Sequence, residues 1–315
     1  MHFAGVFWSI IVICLAVSFF SAVANGQTIK VTLLGTGSPA PVMNRFGPSI
    51  LVEAGDQKLI FDVGRGSLQR LTQAKVNYRD ITAVFFTHLH SDHVVGFPDL
   101  WLSGWITNNR SKPLIVYGPA GTAKMMGHLA AAYEFDIAVR ISDDKAAPNG
   151  VLIEPQDITE GVIFEKSGVK ITAFVVDHRP IAPAFGYRID MGKRSVVLSG
   201  DTRYSENLIK VAAGTDLLIH EVASAEGMKK SGQPEERQRS VVAHHTTAER
   251  AGELFLKVKP RLAVYSHIVP PFSDENSLIS DTRSTYSGML EVGEDLIVIE
   301  VGDKITVTRP AAGAK

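Results

Sequence analysis

Cysteine is almost absent from this chain of 315 residues, in which Cys14 is the only one. An internal disulfide is therefore excluded. Because Cys14 lies in an N-terminal apolar segment, a chain cut behind that segment would contain no thiol at all. We therefore expect the fold to be held by a hydrophobic core and, in addition, by bound metal.

An excess of charge is also missing. The formal net charge is −1 at pH 7, so the sequence carries no basic footprint of the kind that nucleic-acid binding requires. No low-complexity segment, clear repeat or linker interrupts the chain. The length suits one large domain or two small ones, and we predict a single domain over residues 25–315.

One long apolar run is present, and it lies at the N-terminus. Ala4 to Phe20 is almost wholly apolar, and the small residues of positions 21–24 follow it. This pattern is typical of a secretory signal over residues 1–24 that is cleaved after Ala24. The segment before the run lacks Lys and Arg, so an uncleaved membrane anchor stays open as an alternative. We expect a periplasmic or secreted protein, without a stable anchor if the signal is cleaved.

A dense group of metal-ligand residues follows a predicted buried strand at 81–86. His88, His90, Asp92 and His93 fall within six residues. Imidazole and carboxylate groups are ligands for zinc, iron and manganese. Two histidines spaced two apart can face one metal, while Asp92 and His93 can reach a second. The alternative is a solvated His-rich turn, which four such residues behind a buried strand disfavour.

Other ligand-type residues also follow apolar stretches that we predict to be strands. Loops at one edge of a sheet converge in space, so these side chains are expected to meet. The strands are predicted at 169–176, 195–198, 217–220 and 262–265, and the residues that follow them are His178, Asp201, Glu221 and His267.

Local patterns predict further elements. Two strands at 49–54 and 58–63 form a hairpin, and the Asp62-Val63-Gly64 stretch is a turn into a helix. A helix is predicted over 246–258, with a capping box from Thr246 to Glu249. Trp101 and Trp105 are either core aromatics or a pocket wall beside the ligands, and both interpretations stay open.

The pattern His88-x-His90-x-Asp92-His93 resembles the metallo-β-lactamase superfamily, and the likeness runs from about residue 31 to about residue 307. The order of the later ligand-type residues also fits. The resemblance implies an α/β (α+β) fold, a four-layer αββα sandwich, with two divalent metal ions, usually Zn²⁺, with Mn²⁺ or Fe possible. It implies that His88, His90 and His178 hold the first metal, that Asp92, His93 and His267 hold the second, and that Asp201 bridges them.

Two features of the sequence indicate which branch of the superfamily the chain resembles. Asp201 stands where the β-lactamases of the superfamily usually have Cys. The sequences around Glu221 and around His245 to Ala248 resemble the ribonuclease Z and arylsulfatase-like branch. In that branch the resemblance implies that His245 donates a proton to the leaving oxygen and that Glu221 orients it, while Asp92 also holds the proton of the attacking hydroxide.

Less specific interpretations of these residues remain open. His245 could be a surface histidine and Glu221 a buried ion-pair partner. His220 is expected to be structural. Arg45 and Arg188 could meet an anionic substrate, but structural ion pairs are expected.

The expected activity is hydrolysis of anionic esters, with a hydroxide generated at the metals as nucleophile. The stretches at 98–100, 116–119 and 183–188 resemble exported arylsulfatase-like proteins, which favours aryl sulfate esters. Only thirteen residues separate Tyr187 from Asp201, so the tRNA-clamping arm of bacterial ribonuclease Z is absent. Residues 268–272 also lack the Arg-Tyr pair of that enzyme.

Two alternatives to the aryl sulfate activity stay open. One is a phosphodiesterase or endoribonuclease related to ribonuclease Z, and the other is a catalytically silent metal-binding scaffold. The expected partner is a small anionic ester, not nucleic acid. A homodimer is an expectation that rests on the resemblance alone, because nothing in the residues indicates the oligomeric state.

Overall fold

Two β-sheets packed face to face form the centre of the computed structural model, which describes residues 1–2 and 28–311. The first sheet has eight strands in the order β15-β14-β1-β2-β3-β4-β5-β6, and the second has seven in the order β13-β12-β11-β10-β9-β8-β7. In chain order the strands are β1 (Ile29–Gly35), β2 (Ser49–Ala54), β3 (Gln57–Phe61), β4 (Ala83–Phe85), β5 (Leu114–Gly118), β6 (Ile153–Asp157), β7 (Gly161–Lys166), β8 (Val169–His178), β9 (Ile181–Met191), β10 (Arg194–Leu198), β11 (Leu217–Ala223), β12 (Leu262–Val269), β13 (Leu290–Val292), β14 (Val298–Val301) and β15 (Ile305–Thr308).

Helices cover the outer face of each sheet. They are α1 (Ser67–Gln73), α2 (Ser91–Val94), α3 (Phe97–Ile106), α4 (Thr122–Ala132), α5 (Glu134–Ser142), α6 (Glu206–Ala212), α7 (Ala225–Lys230), α8 (Glu235–His244), α9 (Ala248–Val258) and α10 (Glu275–Arg283). Leu71 of α1 and Trp101 of α3 pack on the first sheet. Leu208 of α6 and Phe255 of α9 pack on the second.

The sheets are buried on both faces, which explains the nearly continuous apolar runs of their strands. In β11, Leu217 and Ile219 face the core between the sheets, whereas Leu218 faces the helices. In β2, Val52 faces the core between the sheets and Leu51 faces the helices. The result is helix, sheet, sheet, helix, so the expected four-layer αββα sandwich is confirmed.

Parallel pairing brings the ends of several strands to one edge. Strands β3 to β6 of the first sheet are parallel to one another, and so are β10 to β13 of the second. Ligands of open parallel sheets bind outside the carboxyl ends of the strands. In this chain the residues that follow β4 and β10 are those of the predicted metal cluster.

The prediction for α9 is confirmed in its apolar face but not in its start. Ala248, Ala251 and Phe255 are buried as expected. The predicted capping box is wrong, because Thr247 is the N-cap and its side chain makes no cap hydrogen bond. Thr246 instead donates from Oγ1 to the Thr202 carbonyl at 2.7 Å and from its N–H to Glu221 at 2.8 Å. The hydroxyl and the N–H of Thr246, which a capping box would use, are therefore bonded to residues that lie far away in the sequence.

The two tryptophans belong to the core. Trp101 and Trp105 are 0% and 1% exposed. Their indole N–H groups donate to the carbonyls of Val151 and Ala147, each at 2.8 Å. Of the two interpretations from the sequence, the structure therefore supports packing and not a pocket wall beside the ligands.

The predicted signal over residues 1–24 lies, apart from Met1 and His2, outside the described residues, and so does Cys14. Among the residues that the structure does describe, none of the helices has the length and apolar character needed to cross a bilayer.

Truncation of Phe255 should destabilise the fold strongly. The ring is fully buried and contacts Tyr265 and Tyr286 at centroid distances of 5.6 and 5.5 Å. Phe255→Ala should lower the free energy of unfolding by roughly 3–5 kcal/mol, measured by denaturant unfolding.

The neighbouring Leu256 is the matched control for that experiment, because its side chain is 54% exposed on the same helix. Leu256→Ala should change the free energy of unfolding by less than about 0.5 kcal/mol. Equal losses in the two variants would contradict the assignment of the buried face of α9.

Candidate metal centre

The loop behind β4 is held in place by backbone hydrogen bonds on both sides. The Asp62 N–H donates to the Phe85 carbonyl at 2.8 Å, and the Val63 N–H donates to the His93 carbonyl at 2.7 Å. His90 is the N-cap of the one-turn helix α2, on which Asp92 and His93 are buried. The chain thus presents these ligand-type side chains from a hydrogen-bonded loop in which His88, Asp92 and His93 are buried, and not from a solvated turn.

Four of the predicted ligands form a first cluster, consisting of His88, His90, His178 and Asp201. One ligand atom from each lies within 4.8 Å of the others. His88 Nε2 is 2.9 Å from His90 Nδ1, and His178 Nε2 is 3.4 Å from that same atom. Asp201 Oδ2 lies 3.8 Å from both His88 Nε2 and His178 Nε2.

Asp92, His93 and His267 form a second cluster on the other side of Asp201. Asp92 Oδ2 is 3.7 Å from His93 Nε2 and 3.4 Å from His267 Nε2. Asp201 Oδ2 lies 3.4 Å from His93 Nε2, and Asp201 Oδ1 lies 3.4 Å from His267 Nδ1. All seven residues that the sequence singled out are therefore brought together, with Asp201 between the two clusters.

Two of these residues are aimed by irregular pairing. The predicted strands end before His178 and His267, but in the structure β8 and β12 run through them. The register shifts between Val176 and His178 in β8, and it shifts again where β11 pairs with β12 beside His267. His267 has a φ of 43°, which is sparsely populated for a residue other than glycine. Such bulges turn a side chain out of the sheet, here towards Asp201.

Several buried atoms of the clusters lack a hydrogen-bond partner. They include His93 Nε2, Asp201 Oδ1 and His267 Nδ1. Buried polar atoms are almost always satisfied in native proteins, so these atoms call for a bound group. Bonds of about 2.0–2.1 Å to a tetrahedral Zn²⁺ put its ligand atoms roughly 3.3 Å apart, close to the spacings in these clusters. The donor set therefore fits divalent metal.

Metal binding needs ionised carboxylates and neutral imidazoles, and five of the seven residues meet that need. Burial lowers the pKa of His88, His90 and His178 below the usual value for histidine. Burial would raise the pKa of Asp92, but His93 and His267 outweigh it and lower that pKa to about 2. The pKa of Asp201 is likewise held well below its usual range, because His267 and His93 outweigh the effect of burial. Burial would lower the pKa of His93, but Asp201, Asp62 and Asp92 outweigh it and raise that pKa well above the usual value, so a metal would displace a proton from this ring.

Glu221 and His245 form a pair beside the clusters. His245 Nδ1 lies 3.2 Å from Glu221 Oε2, while Glu221 Oε1 accepts from the Thr246 N–H at 2.8 Å. Burial lowers the pKa of His245, but Glu221 outweighs burial and raises it to about 9. His245 also stacks on the His267 ring at 5.6 Å, and a ring nitrogen lies within 4.8 Å of a ligand atom of Asp201. The arrangement can hold a proton next to the candidate metals.

The residues that the sequence assigned to structural roles have structural contacts. His220 is fully buried and packs against Phe255 on the helix side of β11. Arg45 pairs with Glu275 and also donates to Thr36 at 2.9 Å. Arg188 pairs with Asp190 at 3.0 Å.

The sequence analysis placed Asp62 in a turn and missed its contact with the site. Asp62 Oδ2 lies 2.8 Å from His93 Nδ1, and both carboxylate oxygens accept hydrogen bonds from Thr87. A signal was present, because Asp62 directly follows the apolar strand β3, which neighbours β4. The rule that found the other residues, a ligand-type side chain behind a buried strand, also describes this one.

Comparisons with known proteins agree with this geometry. The family model described as Anti-Pycsar protein Apyc1 matches residues 29–231. A ribonuclease Z of Mycolicibacterium gilvum is 37% identical over 281 residues, which cover 87% of this chain and 96% of that protein. The metallo-β-lactamase fold protein YhfI of Bacillus subtilis has a TM-score of 0.69 at 20% identity, covering 87% of this chain and all of that one. Human tRNase Z, short form, has a TM-score of 0.63 at 21% identity, covering 86% and 98%.

The two structural likenesses show the fold, and the two sequence matches show the family. Both sequence matches extend over well more than half of the chain and include the His88 to His93 loop. The chain therefore belongs to the Anti-Pycsar protein Apyc1 family and, with its ribonuclease Z relatives, to the metallo-β-lactamase superfamily of metal-dependent hydrolases.

Proposed function

We propose that the protein is a dinuclear, zinc-dependent phosphodiesterase. The observation that carries the proposal is the pair of ligand clusters that share Asp201, next to a His245–Glu221 pair able to hold a proton. Two metal sites with a common carboxylate suit hydrolysis at phosphorus, where charge develops on several oxygens at once.

This proposal changes the substrate that the sequence favoured. Aryl sulfate esters were the main expectation, with phosphodiesters as the alternative. Relatives at 35–37% identity are named ribonuclease Z, and an RNA-cleaving enzyme acts on a phosphodiester. The family match thus supports the alternative, and sulfate esters become the comparison substrate.

A small diester is favoured over a folded RNA. Strands β9 and β10 are joined by the two residues Gly192 and Lys193, so no clamping arm extends from this hairpin. The net charge of −1 adds no attraction for a polyanion. Export through the segment at residues 1–24 remains a prediction, and it would likewise keep the enzyme apart from cytoplasmic tRNA.

The roles of the side chains follow from their positions. His88, His90 and His178 would hold one divalent ion, Asp92, His93 and His267 the other, and Asp201 both. The ions would supply a nucleophilic water and neutralise charge on the phosphoryl oxygens. Asp92 would also accept a hydrogen bond from the nucleophile and so hold the proton that remains on its oxygen.

His245 would complete the reaction on the leaving side. As the bond from phosphorus to the leaving oxygen breaks, Nε2 of His245 would give its proton to that oxygen, so that an alcohol and a phosphomonoester result. Glu221 holds Nδ1 of the same ring, which leaves Nε2 facing away from it. Charge on Glu221 would stabilise the protonated ring before transfer.

Hydrolysis of bis-p-nitrophenyl phosphate should be metal-dependent and should exceed hydrolysis of p-nitrophenyl sulfate. Chelator treatment should abolish it and added Zn²⁺ should restore it, because the clusters contain no other electrophile. The rate of p-nitrophenol release checks both expectations. A faster sulfate reaction would return the assignment to aryl sulfate esters, and silence on both substrates with metal bound would support the scaffold alternative.

A matched pair of histidine variants tests whether the clusters are responsible. His178→Ala should remove nearly all diesterase activity together with bound metal, whereas His128→Ala, at an exposed position on α4, should retain both. Metal content by atomic absorption and rates on the diester should fall together in the first variant only.

The role of His245 should appear in its dependence on the leaving group. His245→Ala should lower kcat by about 10²–10⁴-fold for a methyl phenyl diester. The loss should be much smaller for the p-nitrophenyl diester, because p-nitrophenolate leaves without a proton. A series of substituted methyl aryl phosphates measures this as a steeper dependence of kcat on the pKa of the phenol.

His244 is the control for that series, since it neighbours His245 but makes no hydrogen bond to Glu221 among the described contacts. His244→Ala should leave the slope of the series unchanged. If His245→Ala slowed every substrate by the same factor, a structural role would replace that of proton donor.

A further inference from the structure

The Thr87 hydroxyl lies between one ligand of the first cluster and one ligand of the second. Thr87 Oγ1 is 3.0 Å from His88 Nδ1 and 2.8 Å from Asp62 Oδ2. The same carboxylate oxygen is 2.8 Å from His93 Nδ1. His88, Thr87, Asp62 and His93 therefore form one continuous hydrogen-bonded chain.

The direction of each bond in this chain follows from the supply of protons. The carboxylate of Asp62 only accepts, and the threonine hydroxyl has a single hydrogen to donate. If the hydroxyl gave that hydrogen to His88, its lone pairs would face Asp62 Oδ2 at 2.8 Å, which is repulsive. Thr87 therefore donates to Asp62 and accepts from His88 Nδ1.

This direction determines the tautomers of two ligand histidines. His88 and His93 both carry hydrogen on Nδ1, so each presents the lone pair of Nε2 to its cluster. The partner of the outer nitrogen generally decides which nitrogen of a histidine binds metal. His93 takes its partner from Asp62 directly, whereas His88 depends on the hydroxyl.

We propose that Thr87 is a positioning residue that links the two metal sites. Its hydroxyl orients His88, a ligand of the first site, and is itself held by Asp62, the carboxylate that orients His93 in the second site. The proposal rests on the proposed binding of two ions. It goes beyond that function because it assigns to Thr87, which binds neither ion, a larger effect on the metal affinity of the first site than on that of the second.

The surroundings favour this arrangement of the hydroxyl. Its third polar neighbour among the described contacts, His93 Nδ1 at 3.5 Å, lies nearer to Asp62 Oδ2, at 2.8 Å. Thr87 is 3% exposed, its N–H donates to Asp62 Oδ1 at 2.8 Å, and its carbonyl accepts from the Phe185 N–H at 2.9 Å. A Cβ built on Gly200 would lie 3.1 Å from the Thr87 Cβ, so Thr87 also packs against the residue that precedes Asp201.

Thr87→Val tests the proposal, because valine keeps the shape and removes only the hydroxyl. His88 is fully buried, so its Nδ1–H would lose the acceptor that Thr87 provides at 3.0 Å. In zinc titrations of the metal-free protein against a chromophoric chelator, one of two binding steps should weaken by about 10–100-fold. The other step should stay unchanged, because Asp62 still holds His93.

Thr87→Ser is the matched control, since it retains the hydroxyl and should restore the weakened step to within a few-fold of the wild type. Diffraction at the zinc edge should show the loss of occupancy at the His88 site. Equal binding in Thr87→Val and wild type, equal weakening of both steps, or failure of Thr87→Ser to restore binding would each overturn the proposal.

A measurement on the wild-type protein keeps the test independent of whether the valine variant folds. Nitrogen-15 spectra of the zinc-bound histidines should show hydrogen on Nδ1 of both His88 and His93, and hydrogen on Nε2 of His88 would refute the inferred direction. A wild-type chain that binds no zinc would overturn the proposed function as well, whereas normal zinc binding with an unaffected valine variant would overturn this inference alone.

Discussion

The burial of Asp201 among imidazoles is the constraint on which the rest of the site depends. Its side chain is 2% exposed, and one of its oxygens has no hydrogen-bond partner. A carboxylate can stay ionised at such depth only if positive charge lies close to it. The ring nitrogens of both clusters surround it at 3.4–3.8 Å, an arrangement that cations shared between the two clusters would satisfy.

The sandwich meets this constraint by rigidity. Strands β4, β8, β10 and β12 belong to two sheets, yet each delivers its ligand-type residue to the same rim. A slip of one residue would exchange the side chains of the two buried faces of a strand and so disrupt the close packing on both. The positions of the ligands are therefore set by the core between the sheets, and the bulges at His178 and His267 make the final adjustment.

Two further carboxylates, Glu221 and Asp62, support residues of the candidate site by hydrogen bonds. Glu221 holds His245 and the Thr246 backbone, while Asp62 holds His93 and Thr87. Each carboxylate thus connects a ring of the candidate site to the backbone of another strand or loop. Such contacts decide which ring nitrogen is free, and the tautomer decides what the ring can do.

Most strands and the seven residues of the clusters could be predicted from the sequence, because each leaves a local pattern: an apolar run followed by an imidazole or a carboxylate. The four layers were predicted only from the resemblance to a known family. Helix α8 left no such pattern, since it buries no residue and shows no apolar stripe. The tertiary structure alone decided three features. They are the hydrogen bonds that Thr246 makes in place of the predicted capping box, the orientation of His267 towards Asp201, and the hydrogen-bonded link through Thr87. Each depends on a partner far along the chain. A hydrogen bond between distant residues produces no periodicity or spacing in the sequence from which it could be predicted.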